Sequence, residues 1–192
     1  MESIYPYLLG LHGIAGSVAL LTFWMAGLAR KGSRLHVRSG QIYLLAMLGV
    51  VSSAAPMAYA FVLRGHPVTA SFLAYLVVIT ASSMWLGWRA VGLKRNKAAY
   101  YGRGYPAVAV FNLGVALAVL ALGLSKGNPL LIGFSAVGGL IGGSMLYRLR
   151  RPIAAANWWL QEHYGAMLGC GAATHVAFLA LGSDRVARSL GL

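Results

Sequence analysis

Apolar residues fill six long stretches of this chain, approximately 7–29, 40–63, 68–91, 105–124, 129–147 and 160–181, with short polar segments between them. Wound as an α-helix rising about 1.5 Å per residue, each stretch reaches across a hydrocarbon layer of roughly 30 Å. The pattern predicts an all-α fold: one domain over residues 1–192, a polytopic bundle of six transmembrane helices. Pro56 falls inside the second stretch and predicts a kink, with Ser52 and Ser53 at hand for the freed backbone groups. Pro67, Pro106 and Pro129 stand near helix starts, where a missing N–H costs little.

Charge gives the bundle a direction. Of 192 residues, 59% are hydrophobic and 10% charged, against about 25% charged in ordinary soluble domains. Sixteen Lys and Arg face three acids, Glu2, Glu162 and Asp184. The bases gather in alternate connections: Arg30, Lys31, Arg34 and Arg38 in the first, Arg89, Lys94, Arg95, Lys97 and Arg103 around the third, Arg148, Arg150 and Arg151 in the fifth. Only Arg64, Lys126, Arg185 and Arg188 belong to the other side. By the positive-inside rule the first, third and fifth connections are cytoplasmic, which puts both termini on the non-cytoplasmic side. The same basic face attracts anionic lipids, and no aromatic-basic groove for nucleic acid is present. The first stretch is too long for a signal-peptide core and is expected to be retained.

Other residues refine this outline. Tyr5 and Tyr7 at the outer end, and Tyr100, Tyr101, Tyr105, Tyr147, Trp158 and Trp159 at the inner boundary, are expected as interfacial anchors. Residues 152–159 are expected to run along the interface. Cys170, the single cysteine, permits no intrachain disulfide and reads as a packing residue. Gly138, Gly139, Gly142 and Gly143 form two overlapping GxxxG pairs, and Gly165, Gly169 and Ala173 a further small stripe. These serve either packing within the chain or a homo-oligomer through the fifth helix. Ser52, Ser53, Thr80, Ser82, Ser83, Asn112, Ser135 and Thr174 are polar positions inside spans, and buried Asn112 requires an interhelical partner. Residues 27–32 faintly echo 123–127, too little to support an inverted-repeat transporter.

Histidines supply the candidate chemistry. His66 lies in an outer connection. His12 and His175 are expected in the outer leaflet, His36 and His163 at the inner face. Imidazole ligates haem iron, and facing helices can supply one axial ligand each. On this reading His12 with His175, and His36 with His163, hold haem b, with room for the macrocycle at Gly169 and Gly171. His163, Met167, Gly171 and His175 follow one i, i+4 ridge, although twelve residues drift by about 120° around the helix. The corresponding activity is electron transfer, with a quinone or a protein redox partner. A zinc or copper ion at His12 and His175 is the alternative cofactor, and purely structural histidines with no cofactor are the plain one. Glu162 is either a proton relay or the partner of an arginine such as Arg148 or Arg151. A hydrolytic zinc site lacks a carboxylate at the right depth, and neither GxSxG nor HExxH occurs. A small permease whose histidines and Glu162 handle protons, and a non-catalytic subunit of a membrane complex, are the competing functions.

Leu11, His12, Gly13, Gly16, Ala19 and Leu20, then the run from Lys31 to Gly40 with Tyr43 and Met47, resemble a family of bacterial six-helix membrane proteins of unknown function. Trp159, His163 and Met167 resemble that family's closing motif. The resemblance implies a prokaryotic inner-membrane protein and draws attention to His12, His36 and His163; it carries no activity. Six helices with paired histidines are also similar in architecture to cytochrome b561-like proteins. Residue-resolved labelling is expected to find 30–39 and 93–104 on the same membrane face; opposite faces would dissolve the proposed histidine levels.

Overall fold

The computed structural model describes residues 3–179. Glu2, positions 180–181 of the sixth stretch, Asp184, Arg185 and Arg188 lie outside the described residues. The chain is helical with no strand among the described residues: α1 (Tyr5–Leu28), α2 (Arg34–Leu63), α3 (Pro67–Gly92), the single turn α4 (Lys97–Tyr100), α5 (Gly104–Ser125), α6 (Pro129–Arg150) and α7 (Trp158–Ala177). α1, α2, α3, α6 and the stretch Lys97–Ser125 are long and apolar enough to cross a membrane. α7 has 20 residues, but Gln161, Glu162 and His163 make it more polar than those five.

Local chemistry sets the ends. Ser33 accepts a hydrogen bond from the His36 N–H and caps α2, so the helix starts at Arg34, six residues before the apolar stretch does. Asn96 caps α4 and Asn128 caps α6 through side-chain oxygens. Gly32, Gly65 and Gly127 adopt φ of 79°, 75° and 57°, the left-handed turn that ends a helix without a Cβ clash. α2 continues as helix through Pro56. The Ser53 hydroxyl bonds upstream to Gly49 O at 2.7 Å.

The packing is that of a protein whose solvent is lipid. Inside stand small residues such as Ala19, Ala46, Ala90, Ala109, Ser53 and Ser83, while Leu21, Leu45, Leu117 and Leu140 point outward. Lipid competes with leucine on equal terms, so close backbone approach and interior hydrogen bonds must hold such a bundle. α3 lies centrally, against α2, α5 and α7, and the pairs α1–α2 and α5–α6 form the broadest interfaces. Asn112 finds its expected partner, donating to Ser82 Oγ at 2.9 Å and so joining α5 to α3. Tyr75 on α3 enters α6: its hydroxyl accepts from Gly138 N at 2.7 Å and donates to Phe134 O at 2.9 Å.

The glycine pairs divide their work. A Cβ on Gly138 would lie 2.5 Å from the Tyr75 hydroxyl, and one on Gly142 2.7 Å from Ala109 O, whereas Gly139 and Gly143 meet nothing within 4 Å. One pair therefore packs within the chain and the other faces away from it.

The connections rich in Lys and Arg are bound together at one end. Arg89 donates to Ala99 O and Lys97 to Ile153 O, tying the third connection to itself and to the fifth. Tyr100, Tyr105 and Trp158, expected as interfacial anchors, are instead buried. With Leu86, Ala90, Ala109 and Met145 they form a closed core, in which Tyr100 of α4, Tyr105 of α5 and Trp158 of α7 meet. Tyr147 remains exposed, and Trp159 carries Lys94 over its ring at 5.7 Å.

Gly142→Val is expected to destabilise the protein by about 1–3 kcal/mol through overpacking, whereas Gly139→Val should shift stability by less than about 0.5 kcal/mol. Unfolding followed in detergent micelles measures both; equal losses would contradict the division of the two pairs.

Candidate functional site

His36 and His163 share an arrangement. His36 lies in the first turn of α2, and its Nδ1 is 2.9 Å from Ala26 O at the end of α1. A carbonyl only accepts, so Nδ1 carries the proton. The last carbonyls of α1 lack partners within the helix, and Lys31 Nζ serves the same Ala26 oxygen at 3.2 Å. His163, in the second turn of α7, makes the equivalent bond to Gly87 O of α3 at 2.9 Å. Gly87 is covered by Met167, whose Cε would lie 2.3 Å from a Cβ there. The helices that carry the two histidines, α2 and α7, touch farther along through Met47 and Thr174. With Nδ1 donating to a backbone carbonyl, the neutral ring presents Nε2 as a lone-pair donor, the usual second-shell orientation of a metal-binding histidine.

The outer pair is built differently. His12 Nδ1 lies 3.0 Å from Ser53 Oγ; that hydroxyl gives its own proton to a backbone carbonyl of α2, so the imidazole donates and joins α1 to α2. His175 has both ring nitrogens engaged. Nδ1 donates to Gly171 O at 2.7 Å, and Nε2 accepts from Trp24 Nε1 at 2.9 Å. Trp24 stands twelve residues beyond His12 on α1, about 18 Å along the axis. The structure therefore does not bring His12 and His175 together, and His175 lies against the half of α1 nearer the basic end. The space expected at Gly171 is taken by Phe23, whose Cε2 would be 2.1 Å from a Cβ; Gly169 is open. No group of three His, Cys, Asp or Glu suited to a metal ion exists among the described residues, so a three-histidine zinc site finds no support there. His66 is exposed at the start of α3.

Glu162 is buried beside His163. Its carboxylate receives Tyr101 Oη at 2.9 Å, Tyr100 Oη at 3.4 Å and Arg148 Nε at 3.3 Å. Arg148 was one of the two partners expected from the sequence. The tyrosines were not, because adjacent aromatics beside a basic connection read equally well as an interfacial belt. The available signal was the acid itself: a carboxylate in an apolar helix needs several donors, and Tyr100 and Tyr101, at the end of the short turn α4, supply two. This cluster pins α4, α6 and α7 together and fixes the turn that aims His163.

Fold and site together define an α-helical multi-pass membrane protein. No protein-family model, curated protein or solved structure matches the chain, so neither the family resemblance nor the likeness to cytochrome b561-like proteins gains support from that side. The case for function rests on the side-chain geometry.

Glu162→Ala is expected to cost about 1–3 kcal/mol, since three donors lose their acceptor, and Arg148→Ala less, because Arg148 is one-third exposed. A double-mutant cycle on chemical unfolding gives the coupling; additive losses would show that the pair carries no mutual stabilisation.

Proposed function

We propose that the protein is an electron-transfer component of a prokaryotic inner membrane, with its basic end cytoplasmic and both termini outside, and that His36 and His163 hold its redox metal centre. The observation that carries this reading is the matched pair of backbone bonds: each Nδ1 is committed to a carbonyl, leaving two Nε2 atoms on neighbouring helices for a metal.

This donor set fits haem iron. Two neutral imidazoles with second-shell hydrogen bonds suit a low-spin centre, which when bound supplies a reversible one-electron couple. Ala26 and Gly87 fix the tautomers, while Glu162, Arg148 and Tyr101 hold the turn that carries His163. His12 and His175 serve as ties, the first to α2 and the second to Trp24. The fit at His12 and His175 is poor, since His175 Nε2 already accepts a hydrogen bond and Phe23 fills the adjoining groove. A quinone or a protein redox partner would exchange the electron at the basic end. The permease reading is weaker, because its proton-carrying acid is fully engaged by Arg148 and two tyrosines.

The absorption spectrum of detergent-purified protein tests the proposal. A Soret band is expected, lost in His36→Ala and His163→Ala and kept in His12→Ala and His175→Ala. A colourless protein with stoichiometric zinc or copper, released by the first two substitutions, would replace haem by a bare ion at the same pair. A colourless, metal-free protein, or a Soret band indifferent to His36 and His163, would overturn it.

A further inference from the structure

One face of α6 is left uncovered by the rest of the chain. Ile132, Ala136, Gly139, Gly143, Tyr147 and Arg150 follow one another at three- and four-residue steps and so form a single stripe along the helix. A Cβ on Gly139 or Gly143 would meet nothing within 4 Å. Two open depressions follow this stripe. The first, of about 320 Å³, is lined by Leu113, Leu117 and Leu120 of α5 and by Ile132, Ala136 and Gly139 of α6. The second, of about 290 Å³, is lined by Gly143, Leu146, Tyr147 and Arg150. Gly139 and Gly143 are one helical turn apart, so the two depressions follow on from each other as one groove.

The groove is apolar along most of its length and cationic at one end, and that asymmetry selects its occupant. Arg148, two residues before Arg150, is held by Glu162. Arg150 is exposed and forms no ion pair among the described residues, and Tyr147 stands exposed beside it. From Tyr147 to Ala136 the chain advances eleven residues, about 16 Å along the axis. One leaflet of a hydrocarbon core is about 15 Å deep, the reach of a single acyl chain. A second copy of the protein fits less well. Two copies in one membrane share an orientation, so a two-fold pairing through this stripe would set Arg150 against Arg150 in a chain of net charge +13. The charge that repels a copy attracts an anionic headgroup.

We infer that this groove is a binding site for one phospholipid with a net negative headgroup. Arg150 and Tyr147 take its phosphate, the guanidinium through paired N–H donors and the phenol through its O–H. One acyl chain lies over Gly143 and Gly139 toward Ala136, flanked by the leucines of α5. Glycine at both steps brings the chain against the helix backbone, where close contact replaces the side-chain packing that a bare helix face lacks. Arg150 supplies the choice between headgroups, and the glycines supply affinity for any lipid of matching chain. The site uses neither His36 nor His163 and stands whether or not they hold a redox centre.

Native mass spectrometry of the full-length, delipidated protein in detergent tests this, with phosphatidylglycerol and phosphatidylcholine of identical chains titrated in separately. One equivalent of phosphatidylglycerol is expected, held about fivefold more tightly than phosphatidylcholine. Arg150→Gln should remove that preference. Gly143→Leu, which fills the groove without touching the interior, should weaken both lipids alike, by about threefold, and leave the preference intact. Arg64→Gln, at the opposite end of the bundle, should change neither. His36→Ala and His163→Ala should also leave lipid binding unchanged, which separates failure of this site from failure of the histidine centre. If Gly143→Leu fails to fold, Arg150→Gln and the wild-type preference still decide. Equal retention of the two lipids by the wild type, a preference that survives Arg150→Gln, or one that Arg64→Gln lowers as much would overturn the inference. So would a lipid-free dimer that Gly143→Leu dissociates, which would give the groove to a second copy.

Discussion

Lipid offers a helix no reason to leave it and no hydrogen bonds to replace those it gives up. That constraint governs most of what the structure does with its side chains. Large apolar groups are spent on the outer surface, and the interior is left to alanine, glycine, serine and a few polar pairs that must find each other. The Asn112–Ser82, Tyr75–Gly138 and His12–Ser53 bonds follow from it, as does the Glu162 cluster, where a carboxylate is made tolerable by an arginine and two phenols. The histidines obey the same rule before any function is considered: four of the five have a ring nitrogen tied to a group of the chain. What separates His36 and His163 from His175 is what their hydrogen bonds leave over, and from His12 that a backbone carbonyl, not a serine hydroxyl, anchors the ring.

The helices were legible because the apolar runs and their basic punctuation are unambiguous, and the largest difference in an end lies where the Ser33 cap extends α2 into polar sequence. The bonding of Asn112 and the Arg148–Glu162 pair were also legible, since each follows from the cost of burying a polar group. Levels along the bundle were not. Counting residues from the outer ends of α1 and α7 assumes that those two ends lie at one level. The Trp24–His175 bond shows that His175 instead meets α1 well along from its outer end. Equally hidden was the inward fold of α4, a single turn that converts expected interfacial rings into core.

Tyr75 has a mechanical consequence. Its hydroxyl occupies a place in the hydrogen-bond ladder of α6, accepting from one peptide group and donating to another a turn away. Sliding or rotating α3 against α6 would break both bonds together in a medium that supplies no substitutes, so these two helices behave as a single strut. α7 rests on α1 mainly through the Trp24–His175 bond and ring contacts with Phe23. Any adjustment of spacing that ligand capture demands thus falls to the seam between α7 and α1, and the strut sets the reference against which it is made.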